Sequence, residues 1–215
     1  QSRSSAASDV YKRQPFNIAI WSLMATAISI VWLATFSLST GLWNSQIMSA
    51  DLRLAVRWSI GLGLAGMGIA FTMTPPQPQQ VLPENWAGIA GAHTVGAADG
   101  GPGLPFLGWS TQAGDLRISH FLGLHALQVL PLIAVVSSIL VTNYFVRRAI
   151  IMGAGVAYAL LIAFTYVQAL LGETIVQPST LIFLGIILIV GMLSTGFSLF
   201  RSRKDETLKT RARVS

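Results

Sequence analysis

Segment 114–131 reads GDLRISHFLGLHALQVLP and places Asp115, Arg117, His120, His125 and Gln128 at the mouth of an unbroken apolar run. Imidazoles beside carboxylates can hold zinc or non-haem iron, ligate a haem, or pass a proton. On a helical wheel starting at Arg117, Gln128 falls near 20°, His125 near 80° and His120 near −60°, all within an arc of about 140°. Leu122, Ala126, Val129 and Leu130 lie behind them. The pattern predicts one polar face over the outer third of a helix. Pro131 follows, and its missing N–H and its clash with the carbonyl of Leu127 predict a kink.

The spacing limits this chemistry. His120 and His125 are about 140° apart on one helix and cannot ligate one iron between them. A bis-histidine haem needs His93, or a histidine on a helix upstream of this sequence. A metal site would draw on His120, His125 and His93 with Asp99 or Asp115, yet no HExxH-type spacing is present. With no cysteine in the chain, thiolate ligands and disulfides are excluded. No serine or cysteine nucleophile pattern is visible, and GAADGGPG lacks the Lys-Ser/Thr ending of a phosphate-binding loop. The structural alternative is that these residues join helices: Gln128 and Gln168 as interhelical glue, Asp115 as a helix-start acid, Arg117 as an interfacial anchor.

The elements that position these groups follow from composition. Of 215 residues, 53% are hydrophobic and only 10% charged, against about 25% charged in a soluble domain. Mean hydropathy is +0.62. That polar surface is too small to cover a soluble globule, so the lipid bilayer is the expected partner. The pI of about 10.3 does not indicate nucleic acid, because the basic residues cluster beside apolar runs.

Five runs are long enough to span a bilayer, at about 20 residues each: 16–43, 54–74, 118–142, 149–171 and 179–200. Each must be helical, since lipid leaves no partner for open strands. The expected fold is an all-α polytopic transmembrane bundle over 15–200 with a basic tail, 201–215. Arg53 and Arg57, then Arg147 and Arg148, then Arg201, Arg203, Lys204, Lys209, Arg211 and Arg213 fall on one side. The positive-inside rule makes that side the cytoplasm. Loop 75–117, with Glu84, Asp99, Asp115 and Arg117, is then external. Small residues four apart, Gly61 with Ala65 and Gly66 with Ala70, predict close packing by the second helix.

The loop opens with the extended stretch PPQPQQVLPENW. Six glycines and two prolines then fall within 88–105. With few charges but Phe106 and Trp109, it should pack over the mouth of the bundle. Loops this long are functional or disordered. The fourth helix brings Thr165 and Gln168 to the same depth, with Glu173 beyond. The expectation is therefore an outward-facing polar pocket of His120, His125, Gln128, Gln168, Asp115 and Arg117, with His93 and Asp99 above it. Transport ranks below this, since few polar residues continue into the inner half.

Residues 4–14, SSAASDVYKRQ, are polar and patternless and back-translate to a transposase-type sequencing-library adapter. Residues 1–14 are therefore set apart from the fold, and further helices of the same gene are expected upstream.

GAHTVGAADGGPGLPFLGWSTQAGDLRISHFLGLHALQVLPL, 91–132, resembles a group of bacterial multi-pass membrane proteins to which no activity is attached. The resemblance covers 15 to about 188 and implies a bacterial plasma-membrane bundle but no mechanism. YVQALLGETIV, 166–176, is similar to the Gln-x-x-Leu-Gly-x-x-Thr-Val turn of haem A synthase-like proteins. The paired histidines that such proteins carry on separate helices are not matched.

Overall fold

Five helices dominate the computed structural model: α1 (Ser2–Trp43), α2 (Ala50–Met73), α3 (Leu116–Leu140), α4 (Tyr144–Leu170) and α5 (Pro178–Val214). Between α2 and α3, β1 (Thr94–Val95) pairs antiparallel with β2 (Gly114–Asp115), in register Thr94 with Asp115. The structure describes residues 2–43, 46–75 and 91–214, with side chains for 19–20, 22–43, 46–75 and 91–201. The Pro/Gln stretch with Glu84 and Trp86, the side chains of 4–14, and those of the tail beyond Arg201 lie outside them.

All five helices are long and apolar enough to cross a membrane, over Ser22–Trp43, Ala50–Met73, Leu116–Leu140, Tyr144–Leu170 and Pro178–Arg201. The chain is an all-α, multi-pass membrane protein, as its hydropathy predicts. Capping moves the helix ends. α2 starts four residues before the expected 54, because the Ser49 hydroxyl caps it by accepting from the Leu52 N–H, and Asp51 sits in the first turn. Asn143 caps α4 by accepting from the N–H groups of Phe145 and Val146, which brings Arg147 and Arg148 inside the helix. α3 stays helical through Pro131. The basic tail prolongs α5 instead of leaving it at 200.

The bundle is held by small residues. α2 buries Asp51, Ala55, Ser59, Gly63, Gly66 and Ala70, and α3 buries Ser119, Gly123, Ala126, Leu130, Ala134 and Ser137. Gly66 and Gly123 meet back to back: a Cβ on either would overlap the other's backbone. Gly63 leaves room for the Leu127 side chain. Such closeness gives dispersion contact where lipid supplies no hydrophobic drive between helices. Of the expected small pairs, Gly66 with Ala70 is on this seam. Gly61 and Ala65 point outward, and a Cβ at Gly61 would meet nothing.

On α4, Gly153 packs against Gly191 and Thr195 of α5, and Gly155 against the Trp58 indole of α2. Tyr158 of α4 donates to the Leu122 carbonyl of α3 at 3.0 Å. α1 leans on α2 through a bond from Trp32 Nε1 to the Leu64 carbonyl, 3.1 Å, and otherwise exposes its apolar side chains.

Candidate functional site

Residues 91–115 fold into a cap tied to the ends of α2, α3 and α4. Gly91, at φ +83°, turns the chain so that Ala92 N–H reaches the Met73 carbonyl at 3.0 Å. A side chain there would overlap that carbonyl. Leu116 N–H donates to the His93 carbonyl at 2.9 Å. The Thr174 hydroxyl, beyond α4, donates to the Ser110 carbonyl at 3.1 Å. Gly114 lies directly on the Ala169 carbonyl, where any larger residue would collide. Residues 103–110 make a small hairpin, closed by a Gly103–Ser110 bridge and by Leu104 N–H to the Trp109 carbonyl at 2.8 Å.

At the centre of the cap, Asp115 is 1% exposed. Its Oδ1 accepts from the N–H and Nε of Arg117, both at 3.0 Å. Its Oδ2 accepts from Arg117 Nη2 at 2.6 Å and from Ser110 N–H at 2.9 Å. Arg117 Nη2 also donates to the Gly108 carbonyl at 2.7 Å. Asp99 is held by the N–H groups of Thr94 and His93, at 2.8 and 3.2 Å. His93 Nδ1 lies 3.4 Å from Asp99 Oδ1, 3.8 Å from Asp115 Oδ1 and 3.1 Å from the Thr94 hydroxyl.

Electrostatics follow from this geometry. Burial by itself would raise the Asp115 pKa. The Arg117 side chain, the N–H groups of Ser110 and Arg117, and the guanidinium charge outweigh it and hold the carboxyl below its ordinary value. Asp99 is likewise lowered: burial opposes, but the Thr94 hydroxyl, the Thr94 and His93 N–H groups and the nearby imidazole prevail. Both carboxylates are thus spent on shaping the cap. Beside them is a cavity of about 90 Å³ lined by His93, Thr94, Gly100, Gly101, Gly108, Ser110 and Arg117. Its wall offers a guanidinium, an imidazole and two hydroxyls. Neither carboxylate is in that wall.

The structure brings together four of the expected residues, His93, Asp99, Asp115 and Arg117, and separates the rest. His120 turns to α2, with Nδ1 2.7 Å from the Gly66 carbonyl, and so clamps the glycine seam. His125 lies on the exposed side of α3. Its Nδ1 is 2.8 Å from its own helix's Phe121 carbonyl and its ring stacks on Phe121 at 3.9 Å. Gln128 is exposed one turn further on. With its amide oriented to suit its surroundings, it donates to the carbonyls of His125 and Leu124 at 3.2 and 3.1 Å. Gln168 is buried between α4 and α5, donating to Thr180 Oγ1 at 2.7 Å and to the Thr174 carbonyl at 3.2 Å. The expected common pocket of His120, His125, Gln128 and Gln168 does not form. His120, His125 and Gln128 share one arc of α3, yet only His120 reaches across to another helix, while His125 and Gln128 bond carbonyls of α3 itself.

This arrangement bears on the metal and haem readings. Among the described residues, no group of three or more His, Asp or Glu is placed to hold a metal ion. His120, His125 and His93 turn to different neighbours. His93 is the nearest to a metal-like setting, but its two carboxylate neighbours are committed to N–H donors.

One polar pair went unread in the sequence. Asp51, 4% exposed at the start of α2, accepts from Arg147 Nε of α4 at 2.9 Å. Arg147 Nη1 also reaches the carbonyls of Val141 and Thr142, at 3.2 and 3.3 Å. The available signal was a lone acid among arginines next to an apolar run. Its partner, 96 residues away, had none.

Fold and site together define a class: a multi-pass helical membrane protein whose first inter-helix loop after α2 is a folded polar cap. No protein-family model, curated protein or solved structure matches the chain.

Proposed function

We propose that this protein is a non-catalytic integral protein of the bacterial plasma membrane that binds a small polar solute in its cap, on the external side. The observation that carries this is the cavity. It is lined by Arg117, His93, Thr94 and Ser110, and neither Asp99 nor Asp115 is among its lining residues. Its roughly 90 Å³ exceeds several-fold the ~10–15 Å³ that one water needs. That volume suits a small solute that accepts hydrogen bonds, such as an inorganic oxyanion or a short carboxylate. The orientation rests on charge: Arg53, Arg57, Arg147 and Arg148 lie in the first turns of α2 and α4, and Arg201 ends the membrane-spanning stretch of α5, all remote from the cap, a side that the positive-inside rule assigns to the cytoplasm.

The test is thermal unfolding of the purified full chain in nanodiscs against a panel of phosphate, sulfate, bicarbonate, formate and acetate. A binding solute raises Tm by mass action. The rise should shrink in His93→Gln and Thr94→Val. A panel with no member that raises Tm, or a rise untouched by both substitutions, overturns the reading.

A second reading, a haem- or metal-dependent redox enzyme, draws on one observation. His120 and His125 each use Nδ1 on a backbone carbonyl, which is how ligating histidines are commonly oriented before Nε2 meets a metal. An absorption spectrum and metal analysis of the purified protein, with His120→Ala and His125→Ala alongside, decide it. A Soret band or bound metal lost in either variant would favour it over solute binding.

A further inference from the structure

Phe106 is a non-glycine residue with φ +64°, a left-handed backbone that a bulky aromatic rarely adopts, and its side chain is fully exposed. Leu107 beside it is half exposed. They form the tip of hairpin 103–110, whose stem is closed by the Gly103–Ser110 bridge and by the bonds from Leu104 N–H to the Trp109 carbonyl and from Gly108 N–H to the Leu104 carbonyl, both 2.8 Å. Strain held in place by the surrounding fold is a pointer to function.

The level of this tip is set by two contacts. Arg117, in the first turn of α3, donates to the Gly108 carbonyl at 2.7 Å. Trp109 packs edge-on against Phe121, one turn further into the membrane-spanning length of α3, with centroids 5.5 Å apart. Phe121 lies on the outward side of α3, in line with exposed Leu132, Val135 and Ile139. The hairpin therefore lies against the exposed side of α3 beside the first two turns of its Leu116–Leu140 span.

We infer that turn 105–108 is an interfacial membrane anchor: Phe106 and Leu107 insert among the lipid headgroups of the leaflet on the cap side. Aromatic side chains are favoured at this depth, where an apolar body meets a polar boundary. Arg117 and the Trp109–Phe121 pair tie the turn to the first two turns of the Leu116–Leu140 span, and that depth makes lipid headgroups its occupant; further along the same side of α3, His125 and Gln128 separate Phe121 from the apolar Leu132. The inference rests on the bundle spanning a membrane and is independent of solute binding.

The chain has no cysteine, so single labels are clean. Phe106→Cys carrying an NBD fluorophore is compared with Gln112→Cys, an exposed position elsewhere on the cap. Both are reconstituted in phosphatidylcholine–phosphatidylglycerol vesicles. The label at 106 should emit at shorter wavelength and be quenched by a headgroup spin label more than by one deep in the acyl chain. An aqueous nickel chelate should reach it poorly, while the label at 112 should show the reverse. Quenching at 106 by the aqueous agent alone overturns the inference. So does shielding from both agents, which would mean a protein covers the turn, and so does identical quenching at both positions.

Discussion

Asp115 and Arg117 are two residues apart in sequence, yet Nη2 of Arg117 lies 2.6 Å from Oδ2 of Asp115 and 2.7 Å from the Gly108 carbonyl. One guanidinium therefore joins the start of α3 to the far side of the cap. Removing one partner of a buried pair strands the other at a cost of about 3–5 kcal/mol, and the cost of removing Asp115 is smaller because the Arg117 left behind is one-third exposed to solvent. Asp115→Ala should lower Tm in detergent more than any other single change in the cap. Arg117→Lys should not restore the wild-type value, because an ammonium lacks the fork that spans both acceptors.

The cap should open in acid before the helices do. Asp99 and Asp115 have folded pKa values below the ordinary one. Their contribution to stability is complete above the unfolded value of about 3.9 and is lost as pH falls through the lower folded values. Hydrogen exchange across 91–115 should rise below about pH 4 while α2, α3 and α4 remain protected. Uniform protection down to pH 2 would contradict this.

The glycine seam makes a paired prediction. Gly66→Ala and Gly123→Ala each put a methyl into the facing backbone and should destabilise by about 1–3 kcal/mol. Gly61→Ala, facing outward with nothing near it, should be neutral or stabilise by up to about 1 kcal/mol. Thermal unfolding of the three variants checks the contrast.

The histidines on α3 should separate in the same assay. His120→Ala removes a bond across the seam, worth about 1 kcal/mol. His125→Ala removes a bond within its own helix and a ring stack on an exposed flank, and should change Tm less. Equal losses would mean that His125 has a partner that its own helix does not supply.

Five spans were legible in the sequence because hydropathy is a local property that lipid makes decisive. Their ends were less so: Ser49 and Asn143 extend α2 and α4 by four and five residues through caps that hydropathy does not weigh. The cap residues His93, Asp99, Asp115 and Arg117 could be singled out by type, but their pairing depends on the β1–β2 register, which is set by the fold of the loop. A helical wheel placed His120, His125 and Gln128 on one arc without saying which neighbour each would meet. The Asp51–Arg147 pair was invisible for the same reason: helix packing sets it, and no spacing encodes it.

The central claim, an externally facing cap that binds a small solute, is tested most directly at Gly101. That residue lines the cavity, and a Cβ there meets nothing closer than 3.8 Å, so Gly101→Cys fits. In intact bacterial cells, a membrane-impermeant maleimide should label this cysteine, and a saturating concentration of the bound solute should slow the labelling several-fold. Labelling only after permeabilisation, or a rate that no solute in the panel alters, would contradict the claim.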